Sequence, residues 1–202
     1  MKLLILGGNG MAGHILVEYF RKCTPYSVYS TSRSRPNPEG LFLDVENPVM
    51  VEKVLMEVAP DVIINCIGIL NEDARQREIE AYRINGLLPH YLKVLADRLH
   101  AKLIHISTDC VFSGDRGNYT EEDIPDGLSV YARTKALGEI IDDRHLTIRT
   151  SIIGPEIRPH GIGLMQWFME QEGMVKGYQN VYWNGVTTLE LAKVIEHVII
   201  HP

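Results

Sequence analysis

Short apolar runs alternate along this chain with stretches whose apolar positions recur at helical spacing. Leu3–Leu6 forms the first run, and a helical pattern over Met11–Arg21 follows it. "YSVYSTS" and "GLFLDV", the latter around Leu41–Leu43, read as two further strands. Pro48–Val58 reads as a helix, "DVIINCIG" as an apolar strand ending in glycine, and Ala74–Leu99 as a long helix interrupted at Pro89. "KLIHIS" is another strand, Tyr131–Asp142 a helix and "LTIRTSI" a strand. Such alternation at short intervals predicts an α/β chain with a mostly parallel sheet covered by helices on both sides.

After Ile153 the pattern changes, as Gly154, Pro155 and Pro159 punctuate a less regular region. A helix over Leu164–Glu170, a strand near Val181–Trp183 and a helix over Leu189–Ile199 are expected there. Thr187 or Thr188 would cap the last helix, with Glu190 in its first turn. Two regions follow from this, 1–153 as the alternating unit and 154–202 as a smaller part packed against it.

The first strand runs into "GGNGMAG". Gly8, Gly10 and Gly13 satisfy G-x-G-x-x-G, while Gly7, Gly10 and Gly13 give a second register with Met11 inside the turn. Without side chains, such a turn lets backbone amides approach a pyrophosphate, and the following helix offers its positive N-terminus to the anion. A glycine turn alone is also simply a tight turn. Its position between the first strand and first helix of an alternating chain favours a doubly wound, Rossmann-like dinucleotide site. The acidic residue expected at the end of the second strand for NAD is missing, and Ser32 and Arg33 stand there instead. They suit the 2′-phosphate of NADP, with NAD the alternative; an exposed basic loop is the structural reading of the same pair. Asp44 either meets the adenine edge or caps a turn.

Composition narrows the field. The 202 residues are 45% hydrophobic and 23% charged, enough for one substantial core and far from a disordered composition. A formal net charge of −6 gives no general attraction to nucleic acid or to an anionic membrane. Cys23, Cys66 and Cys110 are too scattered for a metal or redox motif, and the opening apolar run is too short to span a membrane. A cytoplasmic protein without a metal is the expectation.

Two later segments carry the candidate chemistry. "HISTDCVFSG" lies at the carboxyl end of a strand, where open parallel sheets bind ligands, and it contains Thr108. "SVYARTK" places Tyr131 and Lys135 four residues apart, on one side of a helix. Taken singly, Thr108 caps a turn, Tyr131 is a half-buried aromatic and Lys135 a solvated lysine. Together, and with the glycine turn, "VIINCIG", "TIRTSIIG" and "WNGVTTLELAKVI", they resemble the extended short-chain dehydrogenase/reductase family. Within it, they resemble the dTDP-4-dehydrorhamnose reductases and related nucleotide-sugar enzymes.

That resemblance implies NADPH-dependent reduction of a 4-keto nucleotide sugar, in deoxysugar or surface-polysaccharide biosynthesis. It implies that Thr108 binds the substrate oxygen and Tyr131 transfers its proton. Lys135 would bind the nicotinamide ribose and lower the tyrosine pKa. Asn85 would organise backbone near the lysine, with Cys66 and Gly68 passing close to the cofactor. Gly68 has its own reason, since it permits close backbone approach. An epimerase or dehydratase, or a non-catalytic NADP-binding subunit, is the alternative. Relatives of this kind often form dimers and continue beyond "WNGVTTLELAKVI", so 154–202 is expected to supply only part of the substrate-binding lobe. "NEDARQREIE" reads as a solvated face, and Trp167 and Trp183 either pack the smaller lobe or touch a nucleotide base, packing being the reading preferred.

Overall fold

The computed structural model describes residues 1–33, 40–157, 161, 163–181, 183 and 185–201. Ser34 and Arg35 of the basic loop, Pro159, Tyr182 in the expected Val181–Trp183 strand, and Asn184 lie outside them.

Six strands make one parallel sheet: β1 (Lys2–Leu6), β2 (Ser27–Ser32), β3 (Leu41–Phe42), β4 (Val62–Asn65), β5 (Lys102–Ile106) and β6 (Leu146–Ile148). Their order is β3-β2-β1-β4-β5-β6, so the chain runs outward from β1 in one direction, then returns and runs outward in the other. Because successive side chains leave a strand on opposite faces, Leu4, Leu6, Ile63 and Leu103 enter one core. Leu3, Ile5, Val62, Ile64 and Ile104 enter the other. The first face is covered by α2 (Pro48–Val58) and α5 (Leu88–Leu99) through Val51, Leu55, Leu92 and Leu95. The second is covered by α1 (Met11–Cys23) and α8 (Thr188–Ile200) through Leu16, Phe20, Leu191 and Ile195. The last helix thus completes the second core beside α1. Its N-cap is Thr187, whose hydroxyl accepts from the Glu190 N–H at 3.0 Å.

The long helical pattern of 74–99 is not one helix. It resolves into the end of α3 (Asn71–Gln76), α4 (Glu78–Ala81), a π-helical segment Tyr82–Leu87, and α5. Pro89 explains the change, since it has no N–H for the Asn85 carbonyl and its ring would strike that oxygen in an α-helix. The widened segment buries Asn85, whose side chain accepts from the Ile69 N–H at 2.8 Å and donates to the Ile69 carbonyl at 2.9 Å. The same amide nitrogen reaches the Thr134 hydroxyl in α6 (Val130–Leu137) at 3.1 Å. At the end of α6 the chain passes so close that a Cβ on Gly138 would sit 1.9 Å from the Asn85 carbonyl oxygen.

"LTIRTSI" likewise divides. After β6 the chain leaves the sheet, and β7 (Ile152–Ile153) pairs in parallel with β8 (Val186–Thr187) in a separate two-stranded sheet. Polar anchors cause the departure: Arg149 forks onto Glu139 at 2.8–3.1 Å, and Ser151 donates to Asp109 at 2.7 Å. In the C-terminal region α7 (Leu164–Met169) buries none of its residues, and Val181 and Trp183 are not in a strand. Trp167 and Trp183 are 45% and 50% exposed, which corrects the expectation that they pack a core. The charged run does read as solvated, with Arg75 on Glu72 and Arg77 on Glu80 at the surface.

Replacing Asn85 with Ala leaves both polar groups of the Ile69 peptide buried and unpaired. A loss of about 3 kcal/mol in unfolding free energy is expected, measured by urea denaturation.

Candidate functional site

The candidate residues stand along the carboxyl edge of the sheet in strand order. Asp44 follows β3, Ser32 and Arg33 end β2, and Gly7 follows β1. Cys66 and Gly68 follow β4, and Thr108 follows β5. Ser32 and Thr108 are therefore three strand spacings apart, roughly 14 Å.

At the centre the glycine turn is as tight as its sequence requires. Gly7 has φ +83°, open to glycine and costly to a side chain. A Cβ on Gly13 would lie 2.1 Å from the Gly7 carbonyl oxygen, so only glycine lets α1 start against the end of β1. Gly10 caps α1 without a side-chain partner, and the first amides of the helix stay available to an anion. Met11 opens the helix, and a Cβ on Gly163 would touch its Sδ methyl carbon at 2.4 Å, which brings the C-terminal region up to the turn. These features fit a dinucleotide: the cradle has no room for side chains, and the first amides of α1 have no side-chain cap to accept from them.

On the β2 side, Ser32 is buried and Arg33 is exposed, 4.0 Å from Glu80. Asp44 turns back locally, its carboxylate accepting from the Glu46 N–H at 3.1 Å. On the β4 side, burial pushes the Cys66 thiol up to about 12, with Lys135 pulling the other way, which favours the protonated thiol. A Cβ on Gly68 would meet only the Asn85 amide oxygen, at 3.4 Å.

Thr108, Tyr131 and Lys135 converge from two elements. The Thr108 hydroxyl caps the 3₁₀ turn Asp109–Val111, accepting from the Cys110 N–H at 3.1 Å. α6 starts at the Ser129 cap, whose hydroxyl accepts from the Ala132 N–H, and this sets Tyr131 against that turn. Burial pushes the Tyr131 phenol up to about 12, with the Thr108 hydroxyl pulling it down in part. Lys135 is 3% exposed and donates to the Ile106 carbonyl at 2.7 Å, at the end of β5. Its own burial pulls it down to about 8, while Glu139 and Cys66 hold it up. The expected acidification of Tyr131 by Lys135 is therefore replaced by the opposite shift. The lysine head group is turned onto Ile106, and burial dominates the phenol.

Sequence reading missed the polar floor beneath these residues. His105 is fully buried, between Asn65 at 3.1 Å and the Lys135 head group at 3.4 Å. Beside it, Glu139 is held by Ser107 at 2.7 Å and by the Arg149 fork. The signal was available, because His105 interrupts the apolar run of "KLIHI" at a strand position with no solvent face.

A doubly wound parallel α/β domain, with a glycine turn after β1 and threonine, tyrosine and lysine gathered at the end of β5, is the class that this fold and site define. The chain matches the RmlD substrate binding domain family over residues 1–199. It is 33% identical over 156 residues to the dTDP-4-dehydrorhamnose reductase of Aggregatibacter actinomycetemcomitans, covering 74% of this chain and 51% of that protein. It is also 33% identical over 141 residues to methionine adenosyltransferase 2 subunit beta of Rattus norvegicus, covering 68% and 41%. Among solved structures, a hypothetical dTDP-4-dehydrorhamnose reductase from Sulfolobus tokodaii superposes with a TM-score of 0.85 at 29% identity, covering 98% of this chain and 72% of that one. The dTDP-4-dehydrorhamnose reductase of Bacillus anthracis, solved in complex with NADP, gives 0.79 at 25% identity, covering 98% and 70%. The chain belongs to the RmlD family of extended short-chain dehydrogenase/reductases. It spans about half the length, or less, of the curated relatives named here. Among the described residues, no helix is long and apolar enough to cross a membrane.

The buried His105 has a consequence for acid stability. Burial first, then Lys135 and His90, hold its pKa well below the ordinary 6.5, so the folded ring stays neutral while the unfolded one protonates. Below about pH 6.5 the unfolded state binds one more proton, and stability falls as pH falls, by at most about 1.4 kcal/mol per unit. Urea denaturation between pH 7.5 and 5 is expected to show this slope, reduced in His105→Phe.

Proposed function

We propose that this chain is the nucleotide-binding body of an NADPH-dependent reductase acting on a 4-keto nucleotide sugar, with residues 1–153 holding the cofactor and 154–202 forming part of the sugar site. The observation that carries this is the convergence of Thr108, Tyr131 and Lys135 at the end of β5, on the same carboxyl edge of the sheet as the glycine turn. Burial favours the protonated form of the Tyr131 phenol, a proton donor in the neutral range, as reduction of a carbonyl requires.

Gly7, Gly10, Met11 and Gly13 would hold the pyrophosphate. Ser32 and Arg33 would take the 2′-phosphate, Asp44 the adenosine end, and Cys66, Gly68 and Lys135 the nicotinamide end, with Lys135 on the ribose. Bound there, NADPH supplies the hydride. Thr108 donates a hydrogen bond to the substrate carbonyl oxygen, and Tyr131 gives its proton to that oxygen as negative charge develops. Asn85 supports the site by clamping the Ile69 peptide and reaching Thr134, the neighbour of Lys135. The reductase relatives support this reading, as does the NADP bound to the Bacillus anthracis structure.

A second reading, an NADP-binding subunit of another enzyme, is favoured by the equal 33% identity to methionine adenosyltransferase 2 subunit beta. Turnover distinguishes the two. Tyr131→Phe is expected to lower NADPH oxidation by nucleotide-sugar ketones at least 100-fold while leaving the Kd for NADPH within about twofold. An unchanged rate would remove Tyr131 from the chemistry.

A further inference from the structure

Beneath Lys135 the structure holds a second polar pair whose hydrogen-bond directions are fixed by the backbone. Asn65, the last residue of β4, is fully buried, and its amide oxygen accepts from the Ile67 N–H at 3.2 Å. A backbone N–H can only donate, so this bond fixes which end of the amide faces which way. The Asn65 NH₂ group must then face His105, and it lies 3.1 Å from Nδ1. An NH₂ group also only donates, so Nδ1 has to carry the lone pair. In a neutral imidazole the hydrogen is then on Nε2. Nε2 lies 3.4 Å from the Lys135 head group, and that head group already donates to the Ile106 carbonyl at 2.7 Å.

An ammonium group has three donors and no acceptor, so an N–H aimed at it finds nothing to accept its hydrogen. A neutral amine has one lone pair, which does accept. We propose that His105 is a positioning residue for Lys135: held as its Nε2–H tautomer by Asn65 and the Ile67 amide, it directs a donor at the lysine head group and favours that group's uncharged form. Burial acts in the same direction, pulling Lys135 down to about 8. Other groups around the pair are Glu139 one turn along α6, Cys66 after β4 and His90 on α5, and the first two hold Lys135 up. The lysine head group that would face the cofactor ribose is thus tied to the tautomer of His105. This role rests on the proposed function only where the lysine meets the cofactor; the tautomer and its effect on Lys135 do not depend on turnover.

The test is ¹⁵N and ¹³C NMR of the whole 202-residue chain, with the His105 ring nitrogens and the Lys135 side chain followed between pH 6 and 11. A neutral ring protonated on Nε2 is expected in the unsubstituted protein. His105→Phe removes the donor and keeps the apolar bulk, so the proton affinity of Lys135 is expected to rise at least tenfold. Asn65→Asp keeps the acceptor for Ile67 but presents a second acceptor to the ring. It is expected to move the hydrogen to Nδ1 and to raise Lys135 as well. An Nδ1–H ring in the unsubstituted protein overturns the proposal, as does a Lys135 midpoint in His105→Phe at or below its original value. If His105→Phe does not fold, the tautomers of the unsubstituted protein and of Asn65→Asp decide the question. NADPH oxidation assayed on the same samples separates the two claims: no turnover with the expected spectra removes the reductase reading and leaves the role of His105 standing.

Discussion

The sheet is apolar on both faces, and that constraint places everything else. Strands β1, β4 and β5 send alternate residues into two separate cores, so helices must cover both sides, which leaves the strand ends open. At the carboxyl ends the chain turns away from β1, β4 and β5 one after another. The glycine turn, the Cys66–Gly68 stretch and the Thr108 turn are consequently neighbours, although they are separated by up to a hundred residues in sequence.

The loops at this edge are held by buried polar groups. Asn85 pairs with the Ile69 peptide as a neighbouring strand would, and the π-helical segment that Pro89 imposes is what buries it there. Glu139 ties Ser107 to Arg149, joining the end of β5 to the point where the chain leaves β6. Lys135 is drawn onto the last carbonyl of β5. Breaking such a group leaves its partner buried and unpaired, which costs more than the bond itself contributes. The loop ends at this edge are thus tied to one another through buried bonds, whereas α7 beyond them buries none of its residues.

Much of this was legible in the sequence, because each legible feature is local. The period-two and helical patterns follow from side-chain geometry within a few residues, and they set out the parallel sheet and its covering helices. The glycine turn was legible because its spacing answers a backbone need that Gly7 and Gly13 show directly. What escaped depends on contacts between distant segments. The break of 74–99 into pieces turns on how Pro89 and Gly138 crowd Asn85. The split of "LTIRTSI" is set by Glu139 and Asp109, and the exposure of Trp167 and Trp183 by what surrounds them. The direction of the Tyr131 shift depends on burial and on where the lysine head group points, neither of which residue spacing shows. His105 carried a visible signal, a lone polar residue in a doubly covered strand, but its meaning lies in Asn65, forty residues away.

The most direct test of the central claim follows the hydrogen itself. NADPH carrying deuterium at the transferable position of its nicotinamide is incubated with the chain and a panel of 4-keto nucleotide sugars, and the sugar product is read by mass spectrometry. One deuterium per product molecule, matched by one NADPH oxidised, is the expected result. Product without label, or no product while NADPH binds, would contradict a stoichiometric reductase at this site.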